Sequence, residues 1–147
     1  MPGAVTPGPP AARPEAVVAV LARGGRFLVV RRGPRVVRPG YWTPLSGRVE
    51  PGETQPQALV REVREEVGLT VVPGAKVWEC DTDDGSFRLH WWTGEVTGGE
   101  LVPDPREVSD ARWVLPGEFA GLSPTFADDR RFFAEIAPTL PGAGNVP

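Results

Sequence analysis

Three glutamates, Glu62, Glu65 and Glu66, lie close together in a short segment with the composition of a helix. At about 100° per residue they fall within an arc of about 100° on one helix face. Glu62 and Glu66 are separated by roughly 6 Å along the helix axis, so both carboxylates can contact one cation or two neighbouring cations. The spacing therefore favours a site for a hard divalent cation.

A solvated acidic face is the simpler interpretation of such a cluster. Ion pairs between Arg61 and Glu65, or between Glu62 and Arg64, would stabilise the helix by only tenths of a kcal/mol. Two features favour a functional cluster instead. The acids lie in the C-terminal half of the helix, where the macrodipole disfavours negative charge. A glycine-punctuated loop from Gly47 also precedes the helix and can bring backbone groups beside the carboxylates.

The sequence predicts that this helix runs from Thr54 to Val67. Thr54 is a suitable N-cap, Pro56 is tolerated in the first turn, and Gly68 can end the helix. The aliphatic side chains form a stripe that is rotated away from the acids and is expected to pack against the core. This stripe contains Leu59, Val60, Val63 and Val67.

The flanking segments predict a single α/β or α+β domain. Two β-branched runs flank Gly24-Gly25, which indicates a hairpin. Strands are predicted in LTVVPGAKVWEC, SFRLHWWTGEVTG and ARWVLP, with a turn at DTDDG, a helical turn in LPGEFAGL and an amphipathic helix in ADDRRFFAEIAP. The domain is expected to cover residues 15–139, between Pro/Gly/Ala-rich tails at residues 1–14 and 140–147.

The composition limits which metals and which charged partners the chain can bind. The chain has 147 residues, one cysteine and one histidine, so no intramolecular disulfide and no multi-cysteine zinc site is possible. Any metal ligands must be mainly oxygens, which points to Mg²⁺ or Mn²⁺. The net charge of −3 argues against a nucleic acid duplex as partner, but not against a small phosphorylated ligand.

No membrane partner is expected from the sequence. The longest apolar run, Ala16–Ala22, is far shorter than the roughly 20 residues of a membrane span. The first residues also lack the basic-then-apolar layout of a signal peptide, so we expect a cytoplasmic location.

The segment from Gly47 to Leu69 resembles the signature of the Nudix hydrolases at every fixed position. The matching residues are Gly47, Glu53, Arg61, Glu62, Val63, Glu65, Glu66, Gly68 and Leu69. The resemblance implies an α/β/α sandwich with a central mixed β-sheet and a loop–helix–loop catalytic motif. It also implies hydrolysis of a nucleoside diphosphate linked to another group.

The resemblance implies that Glu62, Glu65 and Glu66 bind Mg²⁺ or Mn²⁺, with the carbonyl oxygen of Gly47 as a further ligand. One local departure is Ser46, which occupies a position where many members carry glycine. The hydroxymethyl group could change how closely the loop approaches a phosphate.

The resemblance also implies roles for residues other than the three acids that bind the metal. Arg61 and Glu53 are expected to form an orienting pair that holds the loop against the helix. The general base is either a helix glutamate or an acid from a later loop, for which Glu107 is the candidate and Glu95 and Glu100 are weaker alternates.

Possible substrate contacts precede and follow the signature. Arg31, Arg32 and Arg38 could bind phosphate through paired hydrogen bonds, although a solvated loop explains them equally well. Trp42 and Trp92 could stack a nucleobase, although core packing is the alternative.

The substrate class is only weakly indicated. No stretch similar to the SQPWPFPxS of NADH-cleaving members follows the signature, and the proline that often marks ADP-ribose members has no counterpart in DTDDGS. We therefore favour a nucleoside or deoxynucleoside triphosphate, or a broad housecleaning pyrophosphatase activity, on a small nucleotide substrate. The oligomeric state is left open, a homodimer included.

Three other functions compete with this prediction. They are an ADP-ribose or sugar-nucleotide pyrophosphatase, a Nudix-fold module that senses a nucleotide without cleaving it, and an isoprenoid diphosphate isomerase. The intact set Glu62, Glu65 and Glu66 favours an enzyme over a sensor, and the absence of a second cysteine argues against the isomerase.

Overall fold

The computed structural model describes residues 13–141. The tails predicted for residues 1–14 and 140–147 lie outside the described residues, except for positions 13, 14, 140 and 141. The elements are β1 (Glu15–Arg23), β2 (Arg26–Arg32), β3 (Trp42–Thr43), β4 (Ser46–Arg48), α1 (Gln55–Val67), β5 (Leu69–Asp81), β6 (Arg88–Gly99), β7 (Val108–Val114), α2 (Pro116–Phe119) and α3 (Ala127–Arg131). α3 continues through a π turn at Phe132–Ile136 and a 3-10 turn at Ala137–Thr139. Across residues 13–141, no helix has both the length and the apolar character needed to cross a membrane.

The strands form one mixed sheet, as the family resemblance implies. Its main order is β3-β2-β1-β6-β5, with β4 paired to β1 and β7 paired to β2. β1 and β6 run parallel, whereas the other pairs are antiparallel. The fold class expected from the Nudix resemblance is confirmed.

The predicted hairpin at Gly24-Gly25 is present, but its two strands soon separate. β1 pairs with β2 only near the turn, at Ala22–Phe27 and Arg23–Arg26. Farther from the turn, β4 pairs with β1 and β3 pairs with β2. The short strands β3 and β4 therefore fill the gap between β1 and β2, and two cavities are lined by residues of these short strands.

Each face of the sheet is covered by helical segments because alternate side chains of its strands point to opposite faces. One face contributes Val18, Val20, Phe27 and Val29, which pack with Phe119, Phe132 and Phe133 of the C-terminal segments. The other face contributes Ala19, Leu21, Leu28 and Val30, which pack with Leu59, Val63 and Val67 of α1. The result is a layer of helix on either side of the sheet.

Local sequence sets both ends of α1. Thr54 Oγ1 accepts a hydrogen bond from the Gln57 backbone N–H at 3.2 Å, and the Thr54 N–H donates to Gln57 Oε1 at 2.9 Å. At the other end, Gly68 adopts a left-handed conformation with φ of 75°. A Cβ at this position would also lie 2.9 Å from the Glu100 carbonyl oxygen, so glycine is favoured by space as well as by conformation.

Candidate active site

Arg61 joins α1 to the loop that precedes it. Its Nε donates to Glu53 Oε2 at 2.8 Å, and its Nη2 donates to Glu53 Oε1 and to the Arg48 carbonyl oxygen, both at 2.9 Å. Its Nη1 donates to Glu62 at 2.7 Å and to Glu65 at 3.2 Å. The hydrogen bonds from Arg61 lower the pKa of Glu53. The two residues expected to act as an orienting pair are thus in direct contact.

Gly47 leaves room for the Glu62 side chain. A Cβ built on Gly47 would lie 2.0 Å from Glu62 Cδ and 2.4 Å from Glu62 Oε2. The Glu62 carboxyl group therefore packs directly against the backbone of β4, where any larger residue would displace it. Burial raises the pKa of Glu62, and its hydrogen bond from Arg61 opposes that rise.

Glu66 is the most deeply placed of the three helix acids. On a helical wheel it lies only about 20° from Leu59, at the margin of the apolar stripe rather than apart from it. Burial, followed by the charge of Glu62 and a hydrogen bond shared with Glu107, raises the pKa of Glu66 to about 9. A carboxyl group with this environment holds a proton at neutral pH in the absence of a cation.

Glu107 reaches Glu66 because its loop is fixed at several points. The Asp104 N–H donates to the Glu66 carbonyl oxygen at 2.7 Å, and the Glu107 N–H donates to the Asp104 carbonyl oxygen at 3.0 Å. The Gly33 N–H also donates to the Glu107 carbonyl oxygen at 2.8 Å. The later-loop acid singled out from the sequence is therefore adjacent to the helix acids.

The donor set fits a hard divalent cation, although it is not assembled around one. Across residues 13–141, no three His, Cys, Asp or Glu side chains are gathered in a ready metal-binding arrangement. Arg61 forms ion pairs with both Glu62 and Glu65. Burial, and then the charges of neighbouring acids that include Glu107, raise the pKa of Glu62 and Glu66. Carboxylate oxygens of this kind bind Mg²⁺ or Mn²⁺.

Two adjoining cavities open beside these acids. The smaller, of about 190 Å³, is lined by Glu66, Glu107 and residues of β2 to β4. The larger, of about 440 Å³, lies over β1 and β4. Arg32, Thr43 and Ser46 line both cavities, so a ligand can extend from one into the other.

Arg32 lies where the two cavities meet. Burial lowers the pKa of its guanidinium, while the charges of Glu66 and Glu107 oppose that shift. Its Nε donates to the Val37 carbonyl oxygen at 2.5 Å, which fixes the side chain against the β2–β3 loop. A fixed guanidinium beside an acid cluster is well placed to bind the phosphate oxygens of a ligand.

The other predicted substrate contacts are divided between the cavity and the rest of the molecule. Arg38 lines the larger cavity and has a left-handed backbone, with φ of 56°. Arg31, Trp42 and Trp92 line neither cavity. Trp42 is only 6% exposed, and the Trp92 Nε1–H donates to Gln55 Oε1 at 2.8 Å on the α1 side of the sheet.

Several residues of the larger cavity were not predicted from the sequence. They are Asp83, Asp84, Phe87, Phe126, Asp128 and Asp129. The acidic dipeptides in DTDDGS and FADDRR are the signals that could have pointed to them. Each dipeptide alone is equally typical of a turn or a helix N-terminus, and only the fold shows that they meet.

Comparisons with known proteins identify related sequences and folds. The NUDIX domain family model matches residues 12–136. A curated relative from Stutzerimonas stutzeri (strain A1501), named NAD-capped RNA hydrolase NudC, is 39% identical over 132 residues, covering 84% of this chain and 47% of that protein. A relative from Bacillus subtilis (strain 168), named putative 8-oxo-dGTP diphosphatase, is 33% identical over 102 residues, covering 69% of this chain and 66% of that protein.

The fold comparison extends to solved structures. The MutT NUDIX hydrolase from Burkholderia pseudomallei aligns with a TM-score of 0.74 at 20% identity, covering 85% of this chain and 98% of that one. At this identity the likeness concerns the fold alone. The chain spans about half the length of the NudC relatives that it matches. Because the family model matches most of the sequence and the structure has the corresponding fold, this chain belongs to the Nudix family.

Proposed function

We propose that this chain is a metal-dependent hydrolase that cleaves the pyrophosphate bond of a nucleoside diphosphate linked to another group. The observation that carries this proposal is the pair of adjoining cavities. One contains the acids Glu66 and Glu107, the other has a volume of about 440 Å³, within the usual range of small-molecule sites, and Arg32 lines both.

The proposed cofactor is Mg²⁺ or Mn²⁺, in line with the general use of divalent cations by Nudix hydrolases. The proposed ligands are Glu62, Glu65, Glu66 and the carbonyl oxygen of Gly47. When bound, such a cation neutralises charge on the diphosphate and lowers the pKa of a coordinated water. Glu65 would have to exchange its hydrogen bond from Arg61 for this role, which its exposed position allows.

The residues around the acids supply the remaining chemistry. Water attacks one phosphorus in line, the bond from that phosphorus to the bridging oxygen breaks, and the leaving phosphate departs with the electron pair. Glu107, which lines the same cavity as Glu66, accepts the proton of the attacking water. Arg32 binds phosphate oxygens, and Arg61 keeps Glu53 and Glu62 in position.

Within this class we favour a nucleoside or deoxynucleoside triphosphate. The larger cavity has room for one nucleoside, and the sequence lacks the stretch that follows the signature in NADH-cleaving members. The Bacillus subtilis relative named as an 8-oxo-dGTP diphosphatase supports the same choice. A dinucleotide is the second candidate, since relatives at 39% and 35% identity are named NAD-capped RNA hydrolases.

A substrate panel tests the proposal. Purified protein with Mg²⁺ or Mn²⁺ would be offered nucleoside triphosphates, oxidised dGTP, NAD⁺, NADH, ADP-ribose, a sugar nucleotide, diadenosine polyphosphates and coenzyme A. We expect cation-dependent turnover of at least one compound and a loss of roughly 10²-fold or more in kcat/KM in Glu66→Gln.

Glu135→Gln serves as the matched control, because this exposed acid pairs only with Arg131 among the described residues. Its activity is expected to equal that of the unaltered protein. Binding of nucleotides without turnover of any compound would overturn the proposed hydrolase and favour a nucleotide sensor.

A further inference from the structure

The loop between β6 and β7 is bonded to the end of α1 through its backbone. The Val102 N–H donates to the Val67 carbonyl oxygen at 2.9 Å, and the Asp104 N–H donates to the Glu66 carbonyl oxygen at 2.7 Å. Both carbonyl groups lie in the last turn of α1, where no donor within the helix reaches them. The path of the loop is therefore tied to the helix that carries the proposed cation ligands.

Asp104 fixes a tight turn that ends at Glu107. Its carbonyl oxygen accepts hydrogen bonds from the Glu107 N–H at 3.0 Å and from the Val108 N–H at 2.8 Å. Its carboxylate accepts a hydrogen bond from the Arg106 N–H at 3.0 Å, and two more from the Arg106 side chain at 3.1 and 3.0 Å. Aspartate followed by proline, here Pro105, is typical of the first two positions of a type I turn. The carbonyl group and the carboxylate of Asp104 thus both hold the turn that carries Glu107.

Gly33, at the end of β2, contacts the backbone of the same residue. Its N–H donates to the Glu107 carbonyl oxygen at 2.8 Å. A Cβ at Gly33 would lie 3.1 Å from both the carbonyl carbon and the carbonyl oxygen of Glu107, and 3.4 Å from the Val108 nitrogen. The backbone of Gly33 is not left-handed, so the close approach explains the glycine and conformational freedom does not. Backbone atoms cannot rotate away from a clash as the end of a side chain can.

We propose that Asp104 and Gly33 are positioning residues that hold the Glu107 carboxylate beside Glu66 in the smaller cavity. Glu66 and Glu107 line this cavity, whereas Asp104 and Gly33 do not, so the latter two act through Glu107. The inference rests on the proposed function in that Glu107 accepts the proton of the attacking water. A general base acts only within hydrogen-bond reach of that proton, so a displacement of its backbone lowers kcat.

Two substitutions at Asp104 test the role of its side chain. Asp104→Asn keeps an oxygen that accepts from the Arg106 N–H, so it is expected to retain kcat within about 3-fold. Asp104→Ala removes that acceptor, and we expect kcat to fall by about 10-fold or more while KM changes by less than about 2-fold. The dissociation constant of Mn²⁺, measured by calorimetry, is expected to be unchanged in both variants.

Gly33→Ala tests the contact between β2 and the Glu107 backbone. The added methyl group must move the Glu107 peptide by a few tenths of an ångström, and we expect kcat to fall by about 5-fold or more at unchanged KM. Gly117→Ala serves as the matched control, because a Cβ there has open space around it. Its kcat and KM are expected to equal those of the unaltered protein.

The same substitutions in a Glu107→Gln background show whether they act through the Glu107 carboxylate. We expect Asp104→Ala and Gly33→Ala each to lower the remaining kcat of Glu107→Gln by less than about 2-fold. Equal losses with and without the Glu107 carboxylate would overturn the positioning role. Full kcat in both Asp104→Ala and Gly33→Ala would overturn it as well. Full kcat in Glu107→Gln would overturn this inference together with the role of Glu107 as proton acceptor.

Hydrogen exchange tests the positioning without any turnover. The backbone N–H groups of Glu107 and Val108 both donate to Asp104, and NMR spectroscopy follows their exchange in the absence of substrate. We expect this exchange to accelerate by about 5-fold or more in Asp104→Ala, with that of Val63 in α1 unchanged. Unchanged exchange at Glu107 and Val108 would overturn the inference even in an active hydrolase. Faster exchange in a protein that turns over no compound would overturn the hydrolase, while Asp104 would still position Glu107.

Discussion

Gly47 shows how a missing side chain can position a neighbouring carboxyl group, here that of Glu62. Its place in β4 does not require a left-handed backbone, so conformational freedom does not explain the glycine. The glycine is explained by lack of space, because the Glu62 carboxyl group occupies the volume that a Cβ would take. The close approach also brings the Gly47 backbone next to one of the proposed cation ligands.

We therefore expect Gly47→Ala to fold normally and to lose activity. The clash involves the far end of a flexible side chain, so Glu62 can move away at small cost to stability. A displacement of about 1 Å in a catalytic group can lower the rate by about 10²-fold. Steady-state kinetics with saturating Mg²⁺ or Mn²⁺ measure the loss, and thermal unfolding checks the fold.

Gly117→Ala is the control for this substitution, since a Cβ at Gly117 meets no atom within 4 Å. Its activity is expected to be unchanged. Full activity in Gly47→Ala would show that the contact between Glu62 and the β4 backbone has no catalytic role.

At the residue scale, the sequence revealed the acids of the helix but not those of the cavity wall. Glu62, Glu65 and Glu66 are neighbours in the chain, so their spacing alone places them together. Asp83 and Asp128 meet only because the β5–β6 turn and α3 fold to the same side of the sheet. For Trp42 and Trp92, core packing was the alternative to base stacking from the start, and both lie away from these two cavities.

At the element scale, α1 is the part of the molecule whose ends are specified most fully by local sequence. Thr54, Pro56 and Gly68 each have the role expected of their position. The capping box lies next to the loop that Arg61 binds, because the first turn of α1 continues that loop.

Thr54→Ala is expected to lower the free energy of unfolding by about 1 kcal/mol, because the Gln57 N–H loses its side-chain acceptor. Urea denaturation measures this change. Thr54→Ser retains the hydroxyl and is expected to restore most of the stability. Equal stability of the alanine and serine variants would show that the cap contributes nothing.

Elements formed by local contacts were predictable, and those formed by distant contacts were less so. The hairpin at Gly24-Gly25 follows from two glycines between β-branched runs. The parallel pairing of β1 with β6 joins residues about seventy positions apart, for example Val18 and Trp91. The insertion of β3 and β4, whose residues line the cavities, between β1 and β2 also depends on these long-range contacts.

At the scale of the whole molecule, the packing of α3 against the sheet leaves one carboxyl group of the larger cavity, that of Asp129, almost fully buried. Burial raises the pKa of Asp129 to about 7, while the hydrogen bond from Thr43 opposes that rise. Between about pH 4 and pH 7 the folded protein therefore holds a proton that the unfolded chain releases. This proton makes the contribution of Asp129 to folding stability fall as the pH rises through that window.

Asp129→Asn should remove this dependence, because an amide does not titrate and can still accept the hydrogen bond from Thr43. Relative to the variant, the unaltered protein is expected to lose on the order of a few kcal/mol of unfolding free energy between pH 4 and pH 8. Urea denaturation at several pH values, without divalent cation, measures both curves. The curve of Glu135→Gln is expected to run parallel to that of the unaltered protein. Parallel curves for Asp129→Asn and the unaltered protein would mean that Asp129 ionises in the fold as readily as in the unfolded chain.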